Sequence, residues 1–199
     1  MAGVATDGRR LALRQTDVAF EGFDGILPTM VARSLLRLLR ADGNRTIRIA
    51  GTGLHRRITA EGEDWQITHK MIDGTFPNYL KVVPDIDRSI SVPVSLAQIR
   101  RAARIIHTWR QPIFSTSGIN FRPSSGVMTI KAFDQNVEVD MPLIGAHGED
   151  FGINAYYLSG MLHRIGTGCL VAKDKGGPFR LLCEDPDLTL VIMPMMVGR

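Results

Sequence analysis

Apolar and polar positions along the chain repeat in three similar runs, 25–84, 89–144 and 150–199. Each run predicts a short strand, an amphipathic helix and three further strands, with Gly, Asp and Asn marking the turns. Self-similarity at a fixed period indicates an architecture built from one repeated unit. The pattern therefore predicts a mixed fold of β-α-β-β-β units.

The predicted helices are Thr29–Arg40, Ser95–Thr108 and Asn154–Ile165. One strand, Leu11–Arg14, precedes the three units, with no helix before it. Short apolar runs at 26–28, 90–93 and 151–153 lead into the helices. The other predicted strands are Thr46–Ala50, His55–Ala60, Trp65–Ile72, Ile119–Arg122, Val127–Ala132, Asn136–Leu143, Cys169–Ala172, Phe179–Cys183 and Leu188–Met193.

The first two predicted helices carry basic faces and contain no acidic residue. A solvated face usually mixes charges, because like charges four residues apart destabilise a helix. Arginine also binds phosphate with two donors at once. Two interpretations stay open, a solvated basic face and a face that meets a polyanion. The basic residues concerned are Arg33, Arg37 and Arg40, then Arg100, Arg101, Arg104 and His107, and in the third helix Arg164 beside His163.

The end of the chain, Leu190–Met196, is an apolar strand that runs into a proline and two methionines. Pro194 cannot donate a hydrogen bond to a sheet, so it predicts a strand end or an edge position. Methionine is flexible and common on surfaces that accept varied partners. The segment is either a last strand packed on its own sheet or part of a surface that another molecule binds.

Composition excludes several classes of protein. A chain of 199 residues has no apolar run of about 18 residues, so no membrane span is expected. No secretory signal is visible, and two cysteines with five scattered histidines predict neither a metal site nor a disulfide framework. No nucleophile lies beside a base, so we expect no catalytic residue, no cofactor and no enzyme activity. The expected location is cytoplasmic.

Four strings are similar to segments of bacterial replicative sliding clamps, the beta subunits of DNA polymerase III. Residues Ala5–Ala12 resemble the TDGxRL segment, and Ile72–Tyr79 with Val82–Pro84 resembles DGxFPxY…P. Phe151–Leu158 resembles the FNxxYLxD entry to the last helix, and Val191–Met195 the closing VMPM signature. The strings occur in the family's order and span essentially the whole chain.

The resemblance implies an α+β DNA clamp fold, with helices on one face of antiparallel sheets. It implies a short form, in which residues 1–84 are the second half of the middle domain and 85–199 a complete C-terminal domain. Clamp helices line a ring around duplex DNA, so the basic residues above would face phosphates without reading sequence.

The family's partner pocket accepts short motifs of polymerases and repair proteins. Carried over by matching strings, its walls would be Thr6, Gly8, Arg9, Arg10, Leu11, Pro77, Lys81, Val82, Val191, Ile192, Met193, Pro194 and Met195. Arg9 stands where the family often has histidine or tyrosine, and Lys81 where it often has arginine. Residues 196–199 differ from the usual ending and extend past it.

The expected function is a processivity factor that holds duplex DNA non-specifically and docks partner peptides. The alternative is a truncated clamp paralogue that binds peptides as a decoy or regulator without encircling DNA. A half-domain would expose a face that its sister unit normally covers, so we expect self-association. The resemblance also allows a clamp loader as a partner.

Overall fold

The computed structural model describes residues 2–17, 25–41, 48–52, 57–62, 64–107, 117–132 and 137–196. They form two compact units, Met1–Asp17 with Tyr79–Arg199, and Val18–Asn78. The helices are α1 (Thr29–Ala41), α2 (Leu96–His107) and α3 (Ala155–Ile165). The strands are β1 (Ala2–Thr6), β2 (Arg10–Gln15), β3 (Arg48–Thr52), β4 (Arg57–Glu61), β5 (Gln66–Lys70), β6 (Ile90–Ser95), β7 (Ser117–Arg122), β8 (Val127–Ala132), β9 (Val137–Pro142), β10 (Phe151–Asn154), β11 (Thr167–Ala172), β12 (Phe179–Leu182) and β13 (Leu188–Ile192).

The larger unit contains two antiparallel sheets, and two sequence repeats each contribute a strand to the sheet of the other. One sheet has the order β1-β2-β13-β12-β11-β6, and the other has the order β10-β7-β8-β9. Strand β6, which leads into α2, pairs with β11 of the following unit, and β10, which leads into α3, pairs with β7 of the preceding one. The exchange ties the two sequence repeats into one body, whose helices α2 and α3 pack on each other and on the sheets.

A stack of three phenylalanines joins the two sheets. Phe151 lies opposite Phe121 in the four-stranded sheet, with ring centroids 4.9 Å apart. On its other side it stacks on Phe179 of β12, at 4.2 Å. Phe121 and Phe179 are fully buried, and they belong to a core that takes residues from both sheets and both helices. Aromatic pairs at such distances stabilise a core beyond the area they bury.

Polar side chains mark where helices of this unit begin. The Ser95 hydroxyl accepts a hydrogen bond from the Ala97 amide at 3.2 Å, and the Asn154 side chain accepts one from the Tyr157 amide at 3.1 Å. Each satisfies a first-turn amide that has no partner within its helix. Helix α3 ends at Gly166, whose φ of 75° is unfavourable for other residues.

The smaller unit combines α1 with the three-stranded sheet β3-β4-β5. Its core contains Val31 and Leu35 of the helix, Ile58 and Ala60 of the central strand, and Met71. Val31 and Leu35 are four residues apart, which places both side chains on the same face of the helix. The apolar face of α1 therefore packs on strands of its own sequence repeat.

The three predicted helices are present, and the α+β architecture of antiparallel sheets agrees with the prediction. The prediction of one strand before the units was wrong, because β1 precedes β2 and pairs with it as a hairpin. The predicted strand Thr46–Ala50 ends too early, because β3 continues to Thr52 in register with β4. The predicted domains 1–84 and 85–199 stay a prediction, since a compact unit defined by its contacts need not fold independently.

Replacing Phe151 with alanine should lower the free energy of unfolding by about 3–5 kcal/mol, because it empties the centre of the stack. Urea denaturation followed by circular dichroism measures the change. Ile144→Ala is the matched control, since Ile144 is 83% exposed and its loss should cost less than about 0.5 kcal/mol. Equal effects of the two variants would contradict the described core.

Candidate partner-binding and nucleic-acid surfaces

A tight turn connects β1 to β2 and is fixed by its own side chains. The Asp7 carboxylate accepts hydrogen bonds from the amides of Arg9 at 3.1 Å and Arg10 at 3.0 Å. The Thr6 hydroxyl donates to the Arg10 carbonyl at 2.9 Å and accepts from the Gly8 amide at 3.2 Å. Gly8 has a φ of 80°, a conformation that glycine adopts without steric cost. The turn is therefore held in one shape before any partner binds.

The turn lies directly beside the end of the chain. Strand β2 pairs with β13 so that Leu11 is opposite Val191 and Arg10 is opposite Ile192. Beyond the strand, the Met193 amide donates to the Arg9 carbonyl at 2.9 Å. The segment that follows Ile192 is thus fastened to the turn by its backbone.

The same segment is also hydrogen-bonded to β10, the strand that leads into α3. The Met195 amide donates to the Gly152 carbonyl at 2.9 Å, so the segment bridges the turn and β10. Pro194 lies between the two donating amides and needs no acceptor of its own. The Met193 side chain is 37% exposed, while Pro194 and Met195 are half-buried.

A small apolar cluster supports this region. Leu11, Leu13 and Val191 are buried together, and Val4, Tyr79 and Val83 pack around them. Tyr79 begins a 3-10 turn, Tyr79–Lys81, after which the Val82 amide donates to the Tyr79 carbonyl at 3.0 Å. Leu80 and Val82 do not belong to this cluster and are 67% and 46% exposed. Leu80 and Val82 are therefore accessible to a partner and lie next to a buried cluster.

Arg10 connects the turn to α3. Its Nε donates to the second oxygen of Asp7 at 2.9 Å, and its Nη1 donates to the Tyr157 carbonyl at 3.2 Å. The guanidinium lies 5.7 Å from the ring centroid of Tyr156 and 5.1 Å from that of Tyr157, within cation–π range. Burial raises the pKa of the Asp7 carboxyl, but the hydrogen bonds from Arg9 and Arg10 and the charge of Arg10 outweigh it, so that pKa lies below its ordinary value.

The structure divides the predicted partner-site residues into three groups. The exposed ones in the larger unit are Thr6, Gly8, Arg9, Lys81, Val82 and Met193. The half-buried ones are Arg10, Pro194 and Met195, and the buried ones are Leu11, Val191 and Ile192. Pro77 belongs to the smaller unit. The buried residues hold the strands together in this structure, and a partner would first meet the exposed residues.

Sequence reasoning passed over three residues of this arrangement. Asp7, Tyr156 and Tyr157 lie inside the quoted strings, but none was selected. An Asp directly before a glycine in a turn was the available signal for Asp7, since such side chains bind nearby amides. The tyrosines gave no local signal, because their partner Arg10 is 147 positions from Tyr157.

Basic side chains of the larger unit lie on two neighbouring helices. Arg100 and Arg101 are exposed on α2, whereas Ile99 and Ala102 on the same helix are buried. Arg164 is exposed on α3. The Arg100 Nη2 donates to His163 Nδ1 at 3.0 Å, so the basic faces of α2 and α3 are in contact. The arrangement offers a cationic surface that spans two helices.

In the smaller unit, Arg33, Arg37 and Arg40 are exposed on α1, opposite its buried stripe. The side chains of Arg104 and His107 lie outside the described residues. Among the residues that the structure describes, no group of His, Cys, Asp and Glu could hold a metal ion. No helix in this part of the chain is long and apolar enough to cross a membrane.

Comparisons with known proteins point to one family. No protein-family model matches the chain. The beta sliding clamp of Caulobacter vibrioides is 26% identical over 207 residues, which cover 99% of this chain and 54% of that protein. The beta sliding clamp of Pseudomonas aeruginosa is 28% identical over 209 residues, which cover 98% and 54%.

Solved structures agree with these sequence relatives. The structure of a Caulobacter crescentus beta sliding clamp matches with a TM-score of 0.75 and 25% identity, over 98% of this chain and 53% of that one. The DNA polymerase III beta subunit of P. aeruginosa matches with a TM-score of 0.77 and 24% identity, over 98% and 54%. The architecture is therefore that of the sliding clamps, and the predicted fold class is confirmed.

The chain is homologous to the bacterial beta sliding clamps, the beta subunits of DNA polymerase III, as the four strings indicated. It spans about half the length of the curated relatives it matches. The activity and partners of those whole proteins are therefore matters for proposal.

The low pKa of Asp7 predicts a pH dependence of stability. Relative to an unfolded chain with a pKa near 3.8, the ionised carboxylate stabilises the fold at higher pH, and this contribution is lost as pH falls through the lower folded value. Asp7→Asn keeps an acceptor for the turn but removes the charge. Urea denaturation from pH 7 to pH 2.5 should show the wild type's advantage over this variant shrinking below about pH 3.8. An advantage that is constant with pH would contradict the assignment.

Proposed function

We propose that the chain is a sliding-clamp-like protein without catalytic activity. It holds duplex DNA without reading sequence, and it docks short peptides of polymerases or repair proteins. The observation that carries the proposal is the joining of the turn that contains Gly8 to the segment that contains Met193. Arg9 and Met193 belong to two strings that resemble the walls of a clamp's partner pocket, and they are hydrogen-bonded although they are 184 positions apart.

Peptide docking is supported by the chemistry of this surface. Val82 and Met193 are partly exposed apolar side chains. The Met193 amide is bound to the Arg9 carbonyl, and Val82 lies between Tyr79 and Val83, which pack on the buried cluster of Leu11, Leu13 and Val191. Exposed apolar side chains beside a few oriented polar groups suit a short motif with two or three apolar anchors. A QLxLF-type peptide, with two leucines and a phenylalanine, has that composition.

DNA holding is supported by the basic surface of α2 and α3. Arg100, Arg101 and Arg164 are exposed there, and the first turns of both helices lack acidic residues. Phosphate contacts of this kind give affinity without sequence preference, and they weaken steeply as salt rises. Such a hold suits a protein that moves along DNA.

The two surfaces should be separable by mutation. Arg100→Glu with Arg101→Glu should weaken duplex binding and lower the slope of log affinity against log salt by about two, one per lost phosphate contact. Binding of a fluorescein-labelled QLSLF peptide, measured by anisotropy, should stay unchanged. The matched control is Arg88→Glu with Arg122→Glu, two exposed arginines of the same unit that lie outside the helices.

The outcome distinguishes the two candidate functions. Equal losses in the test and control variants would show that net charge, not the helix surface, governs DNA binding. Peptide binding without retention on closed circular DNA would favour the decoy or regulator. Retention on closed circles that is lost on linear DNA would favour encirclement.

Self-association is supported by the smaller unit. Within the described residues its sheet has three strands, whereas the repeat-related four-stranded sheet of the larger unit gains its fourth strand from the neighbouring repeat. Strands β3 and β5 are the outer strands of that smaller sheet, and the apolar side chains of Met30, Leu36 and Ile72 are 68%, 50% and 47% exposed. Outer strands can pair with another chain, and exposed apolar side chains favour association.

Light scattering should give at least twice the 22.0 kDa mass of one chain. Leu36→Glu should shift the protein toward monomer by placing a charge on the associating face. Leu80→Glu is the control, because Leu80 is similarly exposed but belongs to the larger unit. A mass of one chain at every concentration would contradict self-association.

A further inference from the structure

Nothing in α3 itself explains why residue 160, in the middle of the helix, is a glycine. Glycine is a poor residue for a helix interior, because it adds backbone entropy to the unfolded chain. Gly160 does not have a positive φ, so its backbone conformation does not require glycine. Its position is exposed, so burial in a tight core is not the reason. The reason lies in a neighbouring side chain.

A Cβ atom at position 160 would lie 2.7 Å from Nη1 of Arg10, closer than real Cβ contacts allow. The guanidinium occupies this space while Nη1 donates to the Tyr157 carbonyl, one turn earlier on the helix. The aromatic rings of Tyr156 and Tyr157 stand within cation–π distance. Arg10 is therefore seated on α3 in a site that exists because residue 160 has no side chain.

The seated guanidinium controls where the turn lies. The Arg10 side chain also donates a hydrogen bond to the Asp7 carboxylate. That carboxylate accepts further hydrogen bonds from the amides of Arg9 and Arg10. The Arg9 carbonyl accepts a hydrogen bond from the Met193 amide. A displacement of the guanidinium would therefore be passed to the turn and to the segment after β13, which both belong to the candidate partner surface.

We propose that Gly160 and Arg10 form a positioning pair for the partner site. Gly160 admits the guanidinium of Arg10 onto α3, and the guanidinium fixes the spacing between the turn, the helix and the Met193 segment. This inference rests on the proposed peptide-docking function and adds a residue outside the four strings to its site.

Gly160→Ala tests the pair, because it should separate stability from binding. The atom that must move is the far end of a flexible side chain, so the fold should survive, and alanine should leave the melting temperature unchanged or raise it. The affinity for the QLSLF peptide should fall roughly tenfold, the size expected when a charge-assisted hydrogen bond is lost. Gly3→Ala is the matched control, since a Cβ at position 3 meets nothing within 4 Å.

A double-mutant cycle shows whether Gly160 acts through Arg10. In an Arg10→Met background, which keeps an unbranched apolar stem, Gly160→Ala should cause no further loss of peptide affinity. Additive losses would overturn the pair. Unchanged affinity of the single Gly160→Ala variant would overturn it as well, while leaving the docking function intact.

Failure of the wild-type protein to bind the peptide would contradict the docking function itself. In that case a second measurement, NMR of the Arg10 side chain, tests the positioning pair. In arginine-labelled protein, the Arg10 Nε–H resonance should be shifted by the two tyrosine rings and should exchange slowly with solvent. Gly160→Ala should abolish both properties, and Gly3→Ala should preserve them. An Arg10 resonance that is unchanged in Gly160→Ala would overturn the positioning pair.

Discussion

The antiparallel pairing of β2 with β13 is the contact on which the candidate partner site depends. It brings Leu11 opposite Val191, so that the first and last strands of the chain share one sheet. Closing so long a loop costs chain entropy, and a lone β1–β2 hairpin would be marginal in water. Burial of Leu11, Leu13 and Val191 as one cluster offsets these costs. Without this pairing the turn and the final segment would have no fixed relation.

The pairing also resolves the two interpretations of the apolar chain end. Val191 and Ile192 are buried as part of a strand, as the first interpretation required. The strand then stops, and the next amides bind Arg9 and Gly152 in place of a regular ladder. Pro194, which has no amide hydrogen, fits between them. Met193 remains partly exposed, so one segment is both core and candidate surface.

The spacing of apolar residues predicted the helices, which depend mainly on local sequence. Helix α1 buries Val31 and Leu35 on one face, as an amphipathic helix should. Strand β1 was missed because Ala2–Thr6 contains small residues that are mostly exposed, and its position depends on pairing with β2. The strings of the partner surface were recognisable, yet the Arg10–Gly160 contact was not. It joins residues 150 positions apart and leaves no periodic signal.

The turn and the Met193 segment together form the proposed peptide-docking surface. The most direct measurement is a titration of the isotope-labelled chain with the QLSLF peptide, followed by amide chemical shifts. Saturable shifts should centre on Gly8, Val82 and Met193, and the amides of Arg100 and Arg101 on α2 should not shift. Shifts centred on α2 or on the smaller unit, or no shifts at millimolar peptide, would contradict peptide docking at this surface.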